Sequence, residues 1–134
     1  MRPKYLLDTN ICIYLMKHQP PQVLNRFSRC RVGELLISAI TLAELEFGVI
    51  ASGTERARNR EALDLFLVDV PVRAFDGLAA AAYAPVRWET RLRRRDLLDK
   101  LIAAHAIALE VILVTNNPGD FQAYSQLQIE NWVA

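Results

Sequence analysis

Apolar residues fall along this chain in two kinds of run. Short blocks such as Tyr5-Leu6-Leu7, Leu35-Leu36-Ile37 and Val111-Ile112-Leu113-Val114 are continuous and bounded by polar or turn residues, the pattern of strands buried on both faces. Longer segments place apolar residues three or four apart, as Leu42, Leu45 and Val49 do, the pattern of amphipathic helices. The predicted order is a strand over 4–8, a helix over 11–17, and a second short helix opened by Pro20-Pro21 and running to 27. A strand over 35–37, helices over 41–50 and 54–67, and a strand over 70–75 follow. Asp76 then caps an alanine-rich helix that runs into the arginines at 91–95. A helix over 97–109, a strand over 111–114, a short helix over 118–124 and a last strand over 127–129 complete the chain. Strands alternating with helices predict an α/β fold, a parallel sheet covered on both faces. Ligands of such sheets bind beyond the carboxyl ends of the strands.

Composition narrows the class without naming a function. The 134 residues are 52% apolar and 23% charged, as expected for one ordered domain spanning 1–134. The opening Met-Arg-Pro-Lys-Tyr-Leu-Leu-Asp has too short an apolar run for a signal peptide. The later apolar stretch 101–109 contains His105 and is too short to span a bilayer. A cytoplasmic protein without membrane contact is expected. Cys12 and Cys30 form no Cys-x-x-Cys pair and have no His nearby, so zinc and redox chemistry are not signalled. The net charge of +1 says less about partners than the distribution of charge does.

Acids and amides follow three of the predicted strands and open one helix. Asp8 closes the first strand, although Asp8-Thr9-Asn10 also reads as a helix start. Glu44 follows the second strand in Thr41-Leu-Ala-Glu44, which is also a capping box with Thr41 as cap. Glu46 competes with it for a role, but positions two apart on a helix point to nearly opposite sides, so both cannot face one pocket. Asp99 lies in the first turn of the 97–109 helix, where it complements the helix dipole and Asp96 reads as the cap. Asn117 and Asp120 follow the 111–114 strand in a segment that also reads as a turn. Together these groups converge on one end of the sheet. Carboxylates gathered without compensating bases raise one another's pKa unless a cation binds. Hard oxygen ligands suit Mg²⁺, with Mn²⁺ able to substitute, and the chemistry that follows is metal-assisted phosphodiester hydrolysis.

Four blocks, Leu7-Asp8-Thr9-Asn10-Ile11, Ile40-Thr41-Leu42-Ala43-Glu44-Leu45-Glu46-Phe47-Gly48, the segment from Asp99 through His105, and Val114-Thr-Asn-Asn117, resemble the signature blocks of VapC toxins with PIN domains. Their order and approximate spacing are the family's, and Ile129-Glu-Asn-Trp132 resembles its usual end. The resemblance implies a PIN-like three-layer α/β/α fold with a central parallel sheet, and a Mg²⁺-dependent endoribonuclease, with tRNA as a target. It further implies a toxin silenced by a cognate VapB-type antitoxin, and a homodimer. It makes Asp8 and Asp99 the main metal ligands and gives Glu44 a share in holding metal or orienting the attacking water. Many PIN domains carry a fourth acid where this chain has Asn117, and Asp120 is placed to supply that charge. The family also enters the Asp99 helix through a Gly-rich, Pro-containing segment, where this chain has Arg93-Arg94-Arg95-Asp96.

Arg87, Arg91 and Arg94 fall at i, i+4 and i+7 and predict a basic stripe on one helix face, either solvated or holding RNA phosphates. Lys100 is a further candidate phosphate contact. His105 sits in an apolar helix and reads as structural. Two alternatives belong to other classes. One is a phosphoryl-transfer domain with Asp8 as nucleophile, although the strand-end Asp-x-Asp of haloacid-dehalogenase-like phosphatases is here Asp8-Thr9-Asn10. The other is a PIN-like RNA-binding module that has lost its metal.

Overall fold

The computed structural model describes residues 2–93 and 96–133. Five strands, β1 (Tyr5–Leu7), β2 (Leu35–Ser38), β3 (Val72–Arg73), β4 (Ile112–Val114) and β5 (Ile129–Glu130), form one parallel sheet in the order β3-β2-β1-β4-β5. The first strand is therefore central: Leu6 is in register with Leu36 on one side and Leu113 on the other. Six α-helices cover it, α1 (Thr9–Met16), α2 (Pro21–Ser28), α3 (Ala39–Ala51), α4 (Arg56–Asp69), α5 (Gly77–Glu89) and α6 (Leu97–Leu109). Single 3₁₀ turns lie at Gly53–Glu55 and Pro118–Asp120.

The pleat sends alternate strand residues to opposite faces, and both faces are apolar. Leu7, Leu35, Ile37 and Val114 pack with Ile11, Leu15, Val23, Leu45 and Leu63, beneath α1 to α4. Leu6, Leu36 and Leu113 pack with Val86, Ile102 and Ala106, beneath α5 and α6. This is the three-layer arrangement. Because every strand pair is parallel, the carboxyl ends of the strands share one edge, and Asp8, Ser38 and Thr115 follow or close strands there. No described helix is long and apolar enough to cross a membrane.

Several boundaries depart from those predicted. Helix α3 begins at Ala39, capped by the Ser38 hydroxyl on the Ile40 amide at 3.1 Å. Thr41 thus lies inside the helix, its hydroxyl buried and unbonded, and no capping box forms. Helix α5 stops at Glu89 instead of running through the arginines. Thr90 bonds back to the Val86 carbonyl at 2.7 Å, and the buried Lys100 ammonium takes the Thr90 carbonyl at 2.9 Å and that of Arg93 as well. Thr90 thereby caps the end of the helix, and Lys100 binds the carbonyls of the turn that follows it. Asp96 occupies the cap position of α6 but, at φ 74°, makes no side-chain cap bond; it pairs with Arg93 at 3.0 Å. The segment predicted as a helix over 118–124 has only its single 3₁₀ turn, and β3 is two residues long.

Candidate active site

Asp8 lies where β1 meets α1, and it does two things at once. One carboxylate oxygen, Oδ1, accepts the Ile11 amide at 3.0 Å and caps α1. The side chain is also almost wholly buried, at 8% exposure, on the carboxyl edge of the sheet. Burial pushes its pKa up and the Glu44 charge adds to this, while the Thr115 hydroxyl and the Ile11 amide pull it down. Capping and site membership are compatible because a carboxylate has two oxygens.

Glu44 does not cap its own helix. Its Oε1 accepts the Thr9 hydroxyl at 2.8 Å, which ties α3 to the start of α1 beside Asp8. Glu46 points away and is bound by Arg60 of α4, which also holds Asp64. The geometry therefore separates the two glutamates as helix periodicity requires.

Asp99 stands half-buried in the first turn of α6. Burial, followed by the charges of Asp96, Asp120, Glu44 and Asp8, pushes its pKa up to about 6. Four acids from separate segments act on one carboxyl, so these residues share one electrostatic site. Asn117, exposed, donates to Asp120 through its side chain and binds the Thr115 hydroxyl through its amide at 3.1 Å. Asp120 is thus the acid on that side and Asn117 its holder. Neighbouring Asn116 accepts from Asn10 at 3.4 Å and donates to the Tyr14 hydroxyl at 3.0 Å.

Among the described residues no basic side chain pairs with Asp8, Glu44 or Asp99. Nor do three His, Cys, Asp or Glu side chains stand close enough to make a ready cage for a metal. This donor set fits a hard divalent cation of the Mg²⁺ kind, which takes one or two carboxylates and keeps several waters. The raised Asp99 pKa registers burial first and then the charge of the surrounding acids, which no basic side chain among the described residues offsets.

The basic candidates are distributed differently from the predicted stripe. Arg87 is exposed on α5, but Arg91 lies in the turn beyond it and Arg94 is outside the described residues. Lys100 is 2% exposed with its ammonium turned to backbone carbonyls, so in this conformation it does not present charge to a ligand. Arg93 takes its place beside Arg87 and Arg91 in lining a surface cleft. His105 is buried, its Nδ1 2.8 Å from the Ser38 hydroxyl and its ring edge-on to Phe75; burial lowers its pKa. It belongs to the core. Thr9 and Thr115 are the site residues that sequence reasoning missed. The available signal was a hydroxyl one or two residues past a strand end, in the same blocks as Asp8 and Asn117.

A family model for the PIN domain matches residues 5–127. Ribonuclease VapC2 of Rickettsia felis is 37% identical over 96% of this chain and 97% of its own length. The tRNA(fMet)-specific endonuclease VapC of Shigella flexneri is 35% identical over 96% and 98%. Among solved structures, DNA-bound VapBC from Salmonella typhimurium superposes with a TM-score of 0.88 at 31% identity, covering 97% of this chain and 98% of that one. With the fold, the acidic site and these full-length likenesses in agreement, the chain belongs to the PIN-domain family and, within it, to the VapC ribonucleases.

Proposed function

We propose that this chain is the toxin of a type II toxin–antitoxin pair and hydrolyses RNA phosphodiester bonds at the acids around Asp8, Glu44 and Asp99. The observation that carries this reading is the Asp99 carboxyl, raised to about 6 by burial and by Asp96, Asp120, Glu44 and Asp8, with no basic partner among the described residues. Asp8 and Asp99 are the proposed metal ligands. Glu44, held by Thr9, orients the attacking water or completes the ligand set, and Asn117 positions Asp120 on the remaining side. Bound Mg²⁺, or Mn²⁺ in its place, supplies Lewis-acid activation of the phosphate and of the attacking water. A tRNA is the proposed substrate, because the Shigella flexneri relative is named a tRNA(fMet)-specific endonuclease. Incubating purified protein with total cellular RNA tests the reading. Cleavage is expected with Mg²⁺, leaving 5′-phosphate ends, and is expected to stop in excess chelator. Persistence in chelator, or 2′,3′-cyclic phosphate ends from attack by the ribose hydroxyl, overturns it.

A VapB-type antitoxin is the proposed partner, as the VapBC complexes among the similar structures suggest. An apolar groove of about 510 Å³ between α1, α3 and α4, lined by Ile13, Met16, Leu45, Val49 and Leu63, has Glu44 in its wall. It suits the apolar side chains of an antitoxin segment, with an Arg or Lys reaching the acids. A guanidinium binds carboxylates in two-pronged fashion and supplies the missing charge. Replacing the basic residues of the antitoxin segment should release cleavage; unchanged inhibition excludes this mechanism. The active form is proposed to be a homodimer.

A further inference from the structure

The end of α5 carries an arrangement that the acidic site does not use. Trp88 is 68% exposed, and its indole is paired with an arginine. The Arg91 guanidinium lies over the ring at 4.1 Å from the centroid, and Arg91 Nη1 donates to the Trp88 carbonyl at 2.9 Å. Arg91 also lines a cleft with Arg87, Arg93, Leu97 and the inward-turned Lys100. Arg93 is partly neutralised by Asp96, but neither Arg87 nor Arg91 has a carboxylate partner among the described residues. Glu89, the nearest acid in sequence, is held elsewhere by the Ser125 amide at 3.1 Å. The cleft reaches α6 at Leu97, two residues before Asp99.

An exposed aromatic surface beside guanidinium groups free of carboxylate partners is the pairing by which proteins hold unstacked bases and their phosphates. We propose that Trp88 is a stacking platform for an unpaired base of the RNA substrate. Arg87 and Arg91 hold the adjoining phosphates, so the platform sets the distance along the strand at which the acidic site cuts. This inference rests on the ribonuclease reading and goes beyond it by naming a specificity-determining residue. A polyanion is favoured over a protein face because Arg87 and Arg91, which flank Trp88 in sequence, have no carboxylate partner among the described residues and their charge would be costly to bury against an apolar partner.

The two tryptophans make the test direct, since Trp132 is 2% exposed in the core and leaves Trp88 as the solvent-facing fluorophore. A short single-stranded oligoadenylate is titrated into the protein in chelator, so that nothing is cut, and binding is followed by indole emission and by anisotropy of the labelled oligonucleotide. Emission of the parent should be quenched on binding. Trp88→Phe should lose the emission change and bind within about threefold of the parent, whereas Trp88→Ala should bind about tenfold more weakly. Cleavage by Trp88→Ala should shift or spread along a structured RNA. Unchanged affinity and cut sites in Trp88→Ala, or parent emission that RNA leaves unmoved, overturns the platform. Emission that instead follows protein concentration assigns the face to a second copy of the chain, and equally overturns it. Cleavage of total RNA by the parent with Mg²⁺, run in parallel, reports separately on the ribonuclease reading.

Discussion

The carboxyl of Asp99 carries a cost in the metal-free protein that its sequence position alone does not disclose. With its pKa raised to about 6 from an ordinary value near 4, the folded state binds this proton more tightly than the unfolded state does. Stability contributed by the protonated form is therefore lost as pH rises from about 4 through about 6. Asp99→Asn should raise the metal-free melting temperature at pH 7.5, and the gain should fade as pH falls toward 4, where the parent is itself neutral. Mg²⁺ should stabilise this variant less than the parent, because ligand stabilisation follows affinity for the folded state, and cleavage should fall steeply. A purely dipole-complementing Asp99 predicts the opposite, a loss of about 0.3–1 kcal/mol with cleavage intact; thermal melts with and without Mg²⁺ decide. At this scale the sequence was informative where a side chain's position followed from an element's end, as for Asp8 after β1 and Asp99 in the first turn of α6. It was silent on Thr9 and Thr115, because a hydroxyl after a strand looks the same whether it closes a turn or holds a carboxylate 35 positions away, as Thr9 holds Glu44.

Among the elements, the α5–α6 connection is where local reasoning failed and why it failed is visible. Arginines at 91–95 are good helix formers, so nothing local ends α5 before them. What holds the chain off the helical path is Thr90 bonding back to Val86, together with a side chain from the next helix, since Lys100 binds the carbonyls of Thr90 and Arg93. The same competition moved the start of α3, where Ser38 takes the cap that Thr41 offers in sequence. Strands β1, β2 and β4 were legible because their apolar runs need burial on both faces, while β3 shrank to the two residues that pair with Ile37 and Ser38. Lys100→Met keeps the buried stem and removes the ammonium, leaving two carbonyls without their donor. It should cost about 1–3 kcal/mol, read as a fall of roughly 3–15 °C in melting temperature. The salt dependence of RNA binding should be unchanged. Were Lys100 a phosphate contact, melting would hold steady and the salt slope would drop by about one.

At the scale of the molecule, two apolar layers share a sheet whose central strand is the first in the chain. A chain ending at residue 110 lacks β4 and β5 and, with them, Leu113, Val114, Phe121, Tyr124 and Trp132 from the two cores. It should show no cooperative melt; a sharp transition in the truncated chain would contradict this account of what holds the sheet. The strand order β3-β2-β1-β4-β5 also sets a timetable during synthesis. A ribosome delivers Asp8 first, but β1 can gain its second neighbour only after residue 114 has emerged, and Thr115, which holds Asp8, arrives with it. Asp99 comes within electrostatic reach of Asp8 through α6, which packs on the same late strands. A nascent chain therefore carries Asp8 and Glu44 long before Asp99, Asp120 and β4 arrive to complete the site, and a nuclease that would otherwise meet RNA while still being translated becomes competent only late in its own synthesis.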